Sequence, residues 1–178
     1  MIAVDAARLD RLSEPEFVAQ MAPLFEGAPP FLARLAAGRP FGSPDRLFER
    51  AHEIALAMPE DEQRELIDAH PRLGAPPGSV SALSYVEQGY AQEAAGAEAE
   101  AERRRVAAEL ARLNEAYEAR FGFRYCVFVG GRPRAALIPE FEAALSADPE
   151  AERERALGDV IAIARARYAS LGGGEVGA

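Results

Sequence analysis

Only one run in this chain reads as a β-strand, and a lone strand cannot build a sheet. Phe121 to Val129, FGFRYCVFV, is apolar and aromatic, with Gly122 near its start and Gly130-Gly131 at its end. No second run offers it a partner. The apolar spacing elsewhere is helical, so this segment is expected to lie extended and buried in an otherwise all-α fold. Backbone left unpaired in a core must be satisfied by something, and a ligand beside the segment is one candidate.

Helix signals divide the rest. Ser13-Glu14-Pro15-Glu16 offers a capping serine, a first-turn proline and a carboxylate at the third position, followed by Phe17, Val18, Met21 and Leu24 at helical spacing. Pro29 and Pro30 break the chain before a short helix through Phe31, Leu32 and Leu35 that ends near Gly38. Ser43-Pro44-Asp45 caps another, with Leu47, Phe48, Ala51, Ile54, Ala55 and Met58 as its buried stripe. Pro59 starts a helix with Glu60, Asp61 and Glu62 in its first turn, where the dipole favours negative charge, and this helix runs to His70. From about Ala94 to Arg120 one long helix is expected, its run from Glu98 to Arg105 forming a solvated face of local ion pairs. Arg132-Pro133-Arg134 opens the next, and Asp148-Pro149 caps the last, which carries Leu157, Val160, Ile161, Ile163 and Ala164 and ends at Gly172-Gly173-Gly174. The expected architecture is a single-domain all-α bundle of about eight helices over 1–178, with its core at about 13–171 and a flexible tail at 172–178.

Charge removes several classes of function. The 178-residue chain carries a net charge of −9, so neither nucleic acid nor an anionic membrane is an expected partner. All twenty basic residues are arginine, which excludes Schiff-base chemistry on a lysine. Two histidines and one cysteine, Cys126, cannot build an imidazole or thiolate metal cluster, and no intrachain disulfide can form. No metal site is expected, and the cytoplasm is the expected compartment. Asp5, Arg8, Asp10 and Arg11 interrupt the first residues, so neither a signal peptide nor a transmembrane helix is expected there.

The chemistry is best sought between Ala69 and Ala91, AHPRLGAPPGSVSALSYVEQGYA. Pro71 cannot continue a helix and pushes the residue before it out of the α region, so His70 is expected at a helix end beside a loop. Histidine is the side chain whose unperturbed pKa lies nearest neutral pH. Ser84, Glu87 and Gln88 stand at i, i+3 and i+4 and share one face of the next helix, which could look back at His70. Plainer readings exist for both features: the helix dipole favours a terminal histidine, and Ser-x-x-Glu is an ordinary capping box. His52, within a helix, reads as an edge-of-core or surface residue.

Taken together, His70-Pro71, Ser84-x-x-Glu87-Gln88 with Ala91, Leu113-Asn114-x-x-Tyr117-x-x-Arg120-Phe121-Gly122-Phe123 and Ile163-Ala164-Arg165-Ala166-Arg167 resemble the decarboxylases of 2-oxo-4-hydroxy-4-carboxy-5-ureidoimidazoline (OHCU) in urate breakdown. The resemblance runs from about Phe17 to Leu171. It implies an all-helical enzyme without a cofactor, commonly a homodimer, that converts OHCU to (S)-allantoin. Carried over residue by residue, it makes His70 the catalytic acid/base with Glu87 in support. Pro71, Ser84, Gln88, the backbone around Phe121, Gly122, Phe123 and Tyr125, and Arg167 become substrate contacts, with Arg165 as the alternative arginine; Arg72 is added as a candidate contact from its place beside the His-Pro pair, not from the resemblance. The chain departs from the family pattern at Arg72, in a short loop from Gly74 to Ser81, and at Ala144, Leu145 and Ala147. Two other functions remain open at this point: a lyase for a related ureido acid, and a non-enzymatic helical module that binds a partner.

Overall fold

The computed structural model describes residues 6–92 and 97–172. The tail from 173 onward and residues 94–96, at the expected start of the long helix, lie outside the described residues. Nine α-helices and no strand occur among the described residues, so the all-α expectation holds. They are α1 (Ala6–Leu9), α2 (Glu14–Met21), α3 (Pro29–Ala37), α4 (Pro44–Ala57), α5 (Glu60–Asp68), α6 (Ala82–Glu87), α7 (Ala97–Phe121), α8 (Arg134–Ala144) and α9 (Pro149–Gly172). Short 3₁₀ turns follow α2 and flank α6. The expected count of about eight misses α1, a single turn with too few residues to show a period.

The residues group into two compact units, one formed by 6–69 and 157–172 and the other by 70–156. In the first unit the caps work as read. Glu16 accepts from the Ser13 backbone N–H at 2.9 Å and from its hydroxyl at 2.6 Å, and the Ser43 hydroxyl accepts from Arg46 N–H at 3.3 Å. Pro29 and Pro30 do more than break the chain, because they form the first turn of α3, where a missing N–H costs nothing. Phe17, Phe25, Phe31, Leu32, Leu35, Leu47 and Phe48 are buried, as are Leu157, Val160 and Ala164 of α9. Phe25 meets Phe31 at 4.8 Å between ring centroids, and Phe48 meets Tyr168 edge-on at 5.5 Å.

The second unit is built on α7. Its outer face carries the expected local pairs, Glu100 with Arg103 and Glu102 with Arg105, and a further one beyond that run, Glu109 with Arg112. Its inner face ends in Tyr117, whose ring lies 4.5 to 5.7 Å from those of Phe121, Phe123, Tyr125 and Phe141. From 122 to 133 the chain is neither helix nor strand, and Phe123, Tyr125, Cys126, Val127 and Val129 are buried, as expected of the one β-like run. Arginine supplies the hydrogen bonds that a second strand would have given. Arg155 donates to the Cys126 carbonyl at 3.1 Å, and Arg132 donates to those of Phe128 at 2.7 Å and Val129 at 3.0 Å. Arg155 itself is anchored by Glu152, a 3% exposed carboxylate that also accepts from the Tyr117 hydroxyl at 2.7 Å. Burial and the neighbouring carboxylate push the Tyr117 phenol well above its ordinary pKa, so it stays a donor at any physiological pH.

Candidate functional site

The chain reaches His70 by a helix that stops short of it. α5 ends at Asp68, Ala69 caps it with its N–H on the Glu65 carbonyl at 2.9 Å, and His70 lies just beyond. Pro71 forbids any further turn. His70 is 3% exposed, whereas His52 is exposed along α4. A terminal histidine serving only the helix dipole is ordinarily solvated, so this degree of burial favours a specific use.

The loop after His70 is held by side chains gripping its main chain. The His70 carbonyl accepts from Arg124 at 3.1 Å. The Gly74 N–H donates to Gln88 Oε1 at 2.8 Å, and Gln88 Nε2 donates to the Arg72 carbonyl at 3.3 Å. Asn114 Nδ2 donates to the Leu73 carbonyl at 3.0 Å, and the Tyr90 hydroxyl donates to that of Ala75. Arg72 forms a two-pronged pair with Glu118, which raises the guanidinium pKa further and keeps it charged. Gly74 sits at φ +80°, and a Cβ there would come within 2.8 Å of Leu110 Cδ1. Glycine is required by both the backbone angle and the space.

The Ser84 capping-box reading is corrected by the geometry. The cap of α6 is Ser81, whose hydroxyl accepts from the Ser84 N–H at 3.1 Å; the helix therefore starts at Ala82, before Ser84, and stops at Glu87. Ser84 is thus an interior, 3% exposed residue of the helix, and Gln88 is likewise buried at 7%. Gln88 turns its amide onto the loop backbone. Glu87 is half-buried and lines a cavity of about 490 Å³ together with Arg103, Arg132 and Arg134; His70 is not one of its walls. Arg134 also lies over the Tyr90 ring at 3.9 Å, which ties this cavity to the residue holding Ala75.

Of the remaining expected contacts, Pro71 is half-buried, Phe121 ends α7, Gly122 follows at φ +74°, and Phe123 and Tyr125 are buried in the aromatic cluster. The two arginines of α9 differ sharply. Arg165 is exposed and paired with Asp45. Arg167 is 2% exposed within the first unit, where its Nη1 donates to the Pro23 and Leu24 carbonyls at 3.1 and 3.3 Å and its Nη2 pairs with Glu26 at 2.9 Å. Glu26, Gly27 and Ala28 all have positive φ, so this buried guanidinium sits in a turn of costly backbone. Sequence reasoning missed Asn114, Tyr90, Arg124, Glu118 and Glu26 as holders of these groups. Asn114 alone among them was a named position of a recognised motif.

Among the described residues no group of three His, Cys, Asp or Glu is placed to hold a metal ion, and no helix is long and apolar enough to cross a membrane. The fold and the clamped histidine define an all-α protein with a site built from side-chain-to-backbone bonds. Solved structures share the fold: an OHCU decarboxylase crystallised in the presence of (S)-allantoin aligns with a TM-score of 0.65 at 22% identity, covering 86% of this chain and 97% of that one. An (S)-allantoin synthase aligns with a TM-score of 0.63 at 21% identity, over 94% of this chain and 54% of that one. The chain belongs to the OHCU decarboxylase family, whose model matches residues 10–169. It is 30% identical to the 2-oxo-4-hydroxy-4-carboxy-5-ureidoimidazoline decarboxylase of Haloferax volcanii, over 91% of this chain and 92% of the relative. It is 26% identical to the enzyme of the same name from Amia calva, over 94% of both chains.

Proposed function

We propose that this protein is a carboxy-lyase of urate degradation that converts OHCU to (S)-allantoin without a cofactor, acting as a cytoplasmic homodimer, with His70 as general acid/base. The observation that carries the reading is a near-buried histidine on a backbone-clamped loop, in a chain that belongs to this family from residue 10 to 169.

The substrate's own ring makes the chemistry feasible. When the bond from carbon 4 to its carboxylate breaks, carbon dioxide leaves, a double bond forms between carbons 4 and 5, and the imine electron pair moves onto the ring nitrogen, which takes up a proton. The hydroxyl on carbon 4 then gives up its proton and becomes a carbonyl while a second proton is added to one face of carbon 5 and sets the stereocentre. The protein's task is to hold the ring, stabilise the displaced charge and control that proton. His70 would move it, a role worth about 10²–10⁴-fold in rate. Glu87 would orient the imidazole or accept from the ureido group, and Ser84 and the backbone of Phe121 to Tyr125 would meet ring and ureido atoms. Arg167 would hold a ring oxygen or the carboxylate, Arg72 would act from the loop beside Pro71, and Gln88 would act from the end of α6.

The test is to generate OHCU from urate in the cuvette and follow circular dichroism. The protein should produce an immediate optical signal of (S)-allantoin, faster than the slow racemic product of spontaneous decay. Decay at the uncatalysed rate with no optical signal would overturn the reading. Light scattering at micromolar concentration should give twice the 19.1 kDa chain mass. A monomer alone would remove the dimer from the proposal.

A further inference from the structure

The three residues after Pro71 run antiparallel to α7, and each meets a successive turn of it. Arg72 is held by Glu118, the Leu73 carbonyl by Asn114, and Gly74 lies against Leu110. Positions 110, 114 and 118 recur every four residues, so they form one stripe along the helix. The loop leading away from His70 is therefore laid along a ruler whose marks are three side chains.

The marks differ in strength. The Arg72–Glu118 pair is partly solvated, with side-chain exposures of 44% and 27%, and water screens it. Leu110 offers only a surface. Asn114 is 2% exposed and uses its amide group twice, on the Leu73 carbonyl at 3.0 Å and on the Leu110 carbonyl of its own helix at 2.8 Å. A buried donor cannot exchange its partner for water, so Asn114 fixes the loop's register. Between Leu73 and His70 stand only Arg72 and Pro71, whose ring locks its φ. A shift at Leu73 is passed on to the imidazole with little slack to absorb it.

We propose that Asn114 is a positioning residue for His70, acting through the Leu73 carbonyl on the placement of the ring. The inference rests on the reading of His70 as the acid/base, and its effect is confined to the transition state: misplacement of a proton-transfer group by about 1 Å costs on the order of 10²-fold in rate, whereas ground-state binding barely changes.

The experiment compares the full-length wild type with Asn114→Ser and Asn114→Ala. Serine can satisfy itself on the Leu110 carbonyl one turn back but is too short to reach Leu73, so it removes the clamp while α7 stays intact. Four quantities are read: melting temperature, kcat and KM on OHCU generated in situ, and the ring ¹H–¹³C resonance of His70. His52, the other histidine, serves as the internal reference. Leu32→Ala, in the core of the first unit, is the control for a general loss of stability.

The expected result for Asn114→Ser is a kcat lowered about 10- to 100-fold, KM within roughly threefold of wild type, and a displaced His70 resonance beside an unmoved His52 resonance. Leu32→Ala should lower the melting temperature and leave turnover per folded molecule unchanged. A reduced melting temperature with wild-type kcat and an unmoved His70 resonance in both Asn114 variants would overturn the proposal. If the wild type makes no (S)-allantoin, the functional reading fails by itself, and the His70 resonance in the variants still decides whether Asn114 places the ring.

Discussion

The two histidines of this protein are held in opposite ways. His52 lies exposed in the middle of α4, fixed by the helix's own hydrogen-bond ladder. His70 lies 3% exposed outside any helix, and the chain around it is fixed by Arg124, Gln88, Asn114 and Tyr90, each donating to or accepting from the main chain. A ladder holds backbone cheaply but places side chains on a regular, usually solvated surface. Positioning a buried imidazole outside a helix requires a dedicated partner for almost every residue of the loop, and this molecule supplies one from three different segments.

The contrast can be broken or sharpened by substitution. His70→Asn should show the largest effect, a loss of about two to four decades in initial rate of allantoin formation. Gly74→Ala should come next, lowering unfolding free energy in urea by about 2–3 kcal/mol, because it combines a positive φ with a clash against Leu110. An unchanged urea midpoint would mean the loop yields easily, and the clamp would lose its force. Glu87→Gln should reduce turnover by about tenfold, since shape is kept and charge is lost; a wild-type rate would take Glu87 out of the chemistry. Tyr117→Phe should cost about 1 kcal/mol of stability, a modest loss because Arg155 still pairs with Glu152. His52→Asn should be silent in both rate and stability.

How much of this was legible in the sequence follows the range of each interaction. The caps at Ser13, Ser43 and Asp148 were legible because donor and acceptor are two or three residues apart; Asp148 accepts from Glu150 and Ala151 N–H at 3.0 and 3.1 Å. The absence of a sheet among the described residues was legible from a lone β-like run. The plainer reading of Ser84 as a cap fails because Ser81 offers the same hydroxyl three residues earlier, and a pattern match cannot choose between them. The holders of the His70 loop were hidden for a different reason. Asn114 and Arg124 act over 41 and 54 residues on carbonyl oxygens, which every residue possesses and which leave no mark in the sequence. The register of the α9 arginines was ambiguous for the same reason: Arg167 is distinguished from Arg165 by the carbonyls of Pro23 and Leu24 and by Glu26, all far along the chain.

The most direct measurement takes His70→Asn and His52→Asn through the same two assays, melting temperature and optical turnover of urate-derived OHCU, on the same preparations. His70→Asn should melt within a few degrees of the wild type, as a roughly isosteric change does, while its turnover per folded molecule falls by about two decades or more; His52→Asn should match the wild type in both. Unchanged turnover in His70→Asn, even with a lowered melting temperature, would contradict the assignment of the chemistry to the clamped histidine.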